Sequence, residues 1–358
     1  MRHKMRMALA AALLALAAAL VLPSGAGAAG RHFWGVVFRH SDVTQQDLGL
    51  MKHAHVGVAR IVLFWPDIQP SENGSFDWSG ADQKIGSLAS RGIPVVPVVE
   101  GSPSYAASSS TAPPVGSKRA RNDWKAFLRE AVRRYRPGGV YWQTLYHAQH
   151  PGARPRPVTA WQVFNEPNLP SMFHSNNPVR DYAKLLKISH GAIKGADKHA
   201  KVVIAGMPGF SKVHSWRFLD RLYGIHGTKR AFDIGAPHPY APSQSLVRLQ
   251  VNRYRHVMKQ HHDAHTPIWF TEFGWGSGHP DGDINKGPKG QARNLKRSFR
   301  LFARERRRWH LKRVFWFEWR DPTTPTHQCP FCDDSGLLQK SYKKKPAYDA
   351  YRHFVGSH

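Results

Sequence analysis

The sequence predicts an α/β chain wound into a closed (β/α)8 TIM barrel. Eight apolar, β-branched or aromatic runs alternate with stretches of helical spacing, the pattern of a parallel sheet wrapped by helices. No Gly-x-Gly-x-x-Gly follows the first run, so the usual signature of an open, doubly wound sheet is missing. Polar residues end many of the runs, and in a closed barrel those ends share one face. Beyond this rhythm there is no internal repeat and no sign of a second domain.

The first residues read as a targeting segment rather than as fold. Arg2, Lys4 and Arg6 precede an apolar run from Ala8 to Leu22, Pro23 breaks it, and Ala26-Gly27-Ala28 matches a small-residue cleavage site. The run is short for a bilayer core, which needs about 20 apolar residues. The expectation is a secretory signal peptide over residues 1–28 and one barrel domain over 29–358, exported as extracellular or cell-wall-associated protein without a stable membrane span.

The elements follow in order. Strands are expected at 32–38, 58–65 and 93–100, the last despite Pro94 and Pro97, with helices at 42–56 and 80–90. Helix 122–135 carries Trp124, Phe127, Leu128, Ala131, Val132 and Tyr135 at helical spacing. The fourth strand starts at Trp161 and stops at Asn165-Glu166-Pro167, because Pro cannot donate to a sheet ladder. Helix 179–196, strand 201–207, helix 215–223, strand 232–240 and helix 245–262 come next. The seventh strand is Pro267-Ile268-Trp269-Phe270-Thr271-Glu272-Phe273-Gly274-Trp275. Helix 290–308, strand 314–320 and helix 346–354 complete the set.

The fourth and seventh strands each carry a carboxylate near their C-terminal end. Hydrolysis of a glycosidic bond needs one carboxylic acid to protonate the leaving oxygen and a second carboxylate as nucleophile or base. The fourth and seventh strands face each other across an eight-stranded barrel, so Glu166 and Glu272 converge over its mouth. Asn165-Glu166-Pro167 and Thr271-Glu272-Phe273-Gly274-Trp275, so placed, resemble clan A of the retaining glycoside hydrolases, nearest families 39 and 5. That resemblance implies Glu166 as acid/base and Glu272 as nucleophile. It also implies Asn165 on the sugar 2-hydroxyl, and His238 and Tyr240 as the His-x-Tyr that ends the sixth strand. Arg60 would lie beside the nucleophile, and Trp319 and Trp275 would serve as aromatic substrate contacts. Glu318 alternates to the other face and is expected to pair with a helix Arg or Lys. Glu100 ends the third strand where another residue type is expected, and stands as a candidate third carboxylate of the site.

The reading is a secreted retaining hydrolase of a β-linked polysaccharide or oligosaccharide, acting as a monomer with no cofactor or metal. A non-catalytic carbohydrate- or wall-binding protein on the same barrel is the alternative. The formal charge of +28 suits a soluble surface drawn to polyanions. The basic run at 304–313 falls at a helix end away from the expected mouth, which favours an anionic envelope over nucleic acid as its partner. His261-His262-Asp263-Ala264-His265 lacks the Glu of a metalloprotease motif and reads as a solvated helix end. Cys329 and Cys332 are expected to form a local disulfide; a zinc site with His327 and Asp333 is the weaker alternative, lacking a second ligand pair.

Overall fold

The computed structural model describes residues 30, 32–40, 42–281, 283–325, 329 and 331–358. The expected signal peptide and His327 lie outside them. In chain order the elements are β1 (Trp34–Phe38), α1 (Gln45–His53), β2 (Val58–Phe64), α2 (Trp65–Ile68), α3 (Ser79–Ser90), β3 (Val95–Glu100), α4 (Lys118–Tyr135), α5 (Val140–Gln143), α6 (Leu145–Gln149) and β4 (Ala160–Val163). Then come α7 (Pro178–Ala196), β5 (Lys201–Val203), β6 (Met207–Pro208), α8 (Ser215–Tyr223), β7 (Pro237–His238), α9 (Gln244–Gln260), β8 (Ile268–Phe273), α10 (Gly287–Glu305), β9 (Leu311–Trp316) and α11 (Pro346–Gly356). Among the described residues, no helix is long and apolar enough to cross a membrane.

The strands form a parallel barrel. Seven run in the order β5-β4-β3-β2-β1-β9-β8, all paired in parallel. The gap between β5 and β8 is closed by β7. Val203 bridges Ile234, β6 pairs with β7, and Gly235 bridges Ile268. The backbone N–H of Gly235 donates to Pro267 O and that of Trp269 to Gly235 O, each at 2.9 Å, so the ring is complete.

The fifth and sixth strands are shorter than the sequence suggested. The fifth splits into β5 and β6, and only Pro237–His238 of the sixth pairs regularly. Pro237 and Pro239 lack the N–H that would extend the ladder. Pro97, by contrast, sits inside β3 without loss. It pairs with Ile61 of β2, and β4 joins β3 only from Val98 onward. The eighth strand starts earlier than expected and ends at Trp316, short of Trp319.

That early end decides the fate of Trp319. Its indole is fully buried and its Nε1 donates to Asp47 Oδ1 at 2.9 Å. Asp47 also caps α1 in a reciprocal pair with Thr44 and accepts from Arg320 Nε at 3.3 Å. One carboxylate thus holds the end of the eighth strand against the first helix. Replacing it leaves a buried cation and an indole N–H without partners. Asp47→Ala is expected to lower unfolding free energy by about 3–5 kcal/mol in a denaturant titration, with the fold otherwise retained.

Candidate active site

The C-terminal ends of β2, β3, β4, β7 and β8 surround a pocket of about 450 Å³. Its base is built around Arg60, a buried guanidinium in the middle of β2. Arg60 Nε donates to Gln162 Oε1 at 2.6 Å, Nη2 to Asn165 Oδ1 at 2.9 Å, and Nη1 to Glu272 Oε1 at 2.8 Å. Tyr240 Oη donates to the other oxygen, Glu272 Oε2, at 2.9 Å. Both oxygens of Glu272 are therefore fixed.

Glu166 is presented differently. β4 ends at Val163, and the backbone then takes positive φ at Phe164 (62°) and at Glu166 (45°). Such conformations cost about 1–3 kcal/mol each for residues other than glycine and cluster at functional sites. They are held by Phe164 N–H on Val99 O and Glu166 N–H on Gly206 O, both at 2.9 Å. Gly206 is required here for space: a Cβ would lie 1.8 Å from His238 Nε2.

His238 joins the two carboxylates. Its Nδ1 lies 2.8 Å from Glu166 Oε1 and 3.7 Å from Glu272 Oε2. Its Nε2 lies 2.9 Å from Thr271 Oγ1. Gln162, oriented by Arg60, donates from Nε2 to the same Thr271 oxygen at 3.0 Å. A continuous hydrogen-bonded path thus runs from Arg60 through Gln162, Thr271 and His238 to Glu166. One ligand atom each from Glu166, His238 and Glu272 fall within 4.8 Å of one another. That is close enough to surround a cation, and equally what sharing of protons between two carboxylates and an imidazole requires.

The environments of the two carboxylates pull them apart. Burial raises the pKa of Glu166, and the charge of Glu272 adds to the rise, against the His238 hydrogen bond. Burial acts on Glu272 as well, but His238, Arg60, the Tyr240 hydroxyl and Arg39 outweigh it and hold Glu272 below the usual carboxylate value. Glu166 is thus pushed toward its protonated form and Glu272 toward its ionised form. Pairs of this kind divide acid and base roles.

The sequence-selected residues Glu166, Glu272, Asn165, Arg60, His238 and Tyr240 are thus brought together. Trp319 and Trp275 are not. Trp275 is fully buried, its Nε1 donating to Ala241 O at 3.0 Å, and Trp319 lies under the barrel end on Asp47. The aromatic wall is made instead by Phe317, Phe331 and the exposed Phe210. Glu318 pairs with Arg39 at 2.8 Å, a residue just after β1 rather than on a helix. Arg39 in turn lies 4.7 Å from the Phe317 ring centroid. Cys329 and Cys332 are disulfide-bonded and line the pocket beside Phe331. Gln162 and Thr271 were not singled out, although each is a polar residue inside an otherwise apolar strand.

Two glutamates facing each other at a barrel mouth, with pKa values pushed in opposite directions, define the class of glycoside-cleaving sites. The model of the glycosyl hydrolase catalytic core family matches residues 140–343, more than half of the chain, and the chain belongs to that family. The matched segment contains both glutamates, Asn165, His238 and Tyr240. Solved structures are similar in fold. One is a family 39 glycoside hydrolase from the gut symbiont Bacteroides cellulosilyticus WH2, with 18% identity over 91% of this chain and 64% of that one and a TM-score of 0.67. A monomeric beta-xylosidase from Caulobacter crescentus CB15 shares 19% identity over 90% of this chain and 68% of its own, with a TM-score of 0.63. The GH39 enzyme from Xanthomonas axonopodis pv. citri shares 15% identity over 92% and 67%, with a TM-score of 0.67. The chain therefore spans about two thirds of the length of these structures. A search of curated proteins finds no match.

The Tyr240 hydroxyl helps to keep Glu272 ionised. In Tyr240→Phe the pKa of Glu272 rises, and the protonated form persists to higher pH. The acid limb of the kcat/KM profile is expected to move upward in pH, and kcat/KM on its plateau to fall about tenfold. A pH–rate profile of the variant beside the wild type measures both.

Proposed function

We propose that this protein is a secreted, retaining glycoside hydrolase acting on a β-linked polysaccharide or oligosaccharide. The carrying observation is the approach of one oxygen of Glu166 and one of Glu272 to within 4.8 Å. Retaining enzymes hold their carboxyl groups about 5–5.5 Å apart, whereas inverting enzymes need about 6.5–9.5 Å to admit a water. In the first step an oxygen of Glu272 attacks the anomeric carbon as the glycosidic C–O bond breaks, and Glu166 gives its proton to the leaving oxygen. In the second, Glu166 takes a proton from a water whose oxygen attacks the anomeric carbon, and the bond to Glu272 breaks. Asn165, held by Arg60, offers its amide N–H to the sugar hydroxyl next to the anomeric centre. Phe317, Phe331 and Phe210 offer apolar faces to the ring.

We propose further that the basic back of the barrel retains the protein at an anionic envelope. Arg306, Arg307, Lys312, Arg313 and Lys201 gather around the N-terminal ends of β5, β8 and β9, opposite the mouth. Binding there leaves the pocket facing outward. Salt screens exposed charges over about 8–10 Å near physiological strength. The protein is expected to elute from envelope material as salt rises, and retention at high salt would argue against this mode.

Turnover is tested on aryl β-glycosides and β-glycans. Glu272→Ala is expected to abolish hydrolysis, with azide restoring release of the aglycone and leaving the sugar as a glycosyl azide of opposite anomer. Glu166→Gln is expected to lose about 10²–10⁴-fold, and least on substrates whose leaving group needs no proton. Hydrolysis by wild type that persists in Glu272→Ala without azide would remove Glu272 as nucleophile.

A further inference from the structure

Glu100 ends β3 with its carboxylate in the same pocket, and the double displacement assigns it no task. It shares the pocket lining with Arg60 and Val62 of β2, Asn165 and the two catalytic glutamates. No hydrogen bond or ion pair from the described residues reaches it. Several other acids buried among the described residues are matched. Asp82 accepts from Arg134 and Tyr135, Glu318 from Arg39, Asp321 from Lys345, and Asp47 from Trp319 and Arg320. Burial, with the charges of Glu272 and Glu166, pushes the pKa of Glu100 up to about 7 against the pull of Arg60 and Arg39. Glu100 is half-buried and its carboxylate opens onto the pocket, so a donor carried by a bound ligand can supply the partner that the protein does not.

The charges around Glu100 indicate which donor. Both arginines of the pocket are engaged, Arg60 with Glu272 and Arg39 with Glu318. Asp281 and Asp283 add two further carboxylates to its lining. The pocket is therefore acidic, in a chain whose formal charge is +28. A uronic acid would meet unfavourable charge here, and a neutral sugar leaves Glu100 without a counter-charge. An ammonium group supplies both the counter-charge and strong N–H donors. The basic exterior repels a cationic sugar everywhere else, which confines such a ligand to the pocket.

We infer that Glu100 is a specificity-determining residue that receives the ammonium group of an amino sugar, so that the glycan cleaved carries free, non-acetylated amines. The inference rests on the glycosidase reading of the same pocket.

Its test is binding rather than turnover, so that it stands apart from hydrolysis. The methyl β-glycosides of glucosamine and galactosamine are titrated by ligand-observed NMR and calorimetry at pH 7. Their N-acetyl forms, the parent neutral sugars and glucuronic acid are titrated alongside. The wild type is expected to bind an amino sugar about tenfold more tightly than its neutral parent. In Glu100→Gln, which keeps the shape, that ratio falls toward one. In Glu100→Asp, which keeps the charge, part of it remains. Equal affinity for amine and parent overturns the inference, as does tightest binding of the uronic acid or no binding of either amino sugar. Equal weakening of all sugars in Glu100→Gln also overturns it, and makes Glu100 a hydroxyl anchor instead.

Discussion

A single guanidinium inside the barrel sets the geometry of this site. Arg60 reaches three acceptors on two other strands, and its planar fork fixes their relative positions at once. A buried cation of this kind is tolerable because Glu272 neutralises it at hydrogen-bond distance. The same contact keeps Glu272 ionised, and the ionised Glu272 helps Glu166 to keep its proton. The division of labour between two chemically identical side chains thus draws on His238 and on one residue in the middle of β2.

Much of this arrangement was legible in the sequence. Glu166 stands out because Pro167 stops a strand directly behind it, and Glu272 because it is the one carboxylate in a long aromatic and β-branched run. The alternation of strands and helices carried the barrel. The tryptophans were harder, because residue type does not say which way a side chain points once a strand has ended. The eighth strand stops at Trp316, so alternation cannot be extended to Trp319, and Phe317 becomes the wall of the pocket. The sixth strand was overread for a related reason: its apolar residues are buried, but its prolines prevent most of it from pairing. Gln162 and Thr271 left only a faint trace, since one polar residue in a buried strand does not announce its partner on another strand.

The distribution of charge is uneven in an informative way. Lysine and arginine dominate the exterior, whereas the arginines that line the pocket are matched to carboxylates. The back of the barrel and its mouth thus differ in sign as well as in shape.

The seam between β5 and β8 bears on how the enzyme responds to heat. Most of the barrel wall is built from continuous ladders, but this stretch is closed by a two-residue strand and isolated bridges. His238 belongs to that strand, and Glu166 hangs from Gly206 beside it. Segments with few backbone bonds open at lower free energy than the whole domain. Inactivation would therefore begin as local loosening at the seam, with the imidazole drifting from its glutamate while the rest of the barrel remains folded. Thermal resistance of the fold and thermal resistance of the chemistry are separate properties in this molecule, and the second is set by a much smaller part of the chain.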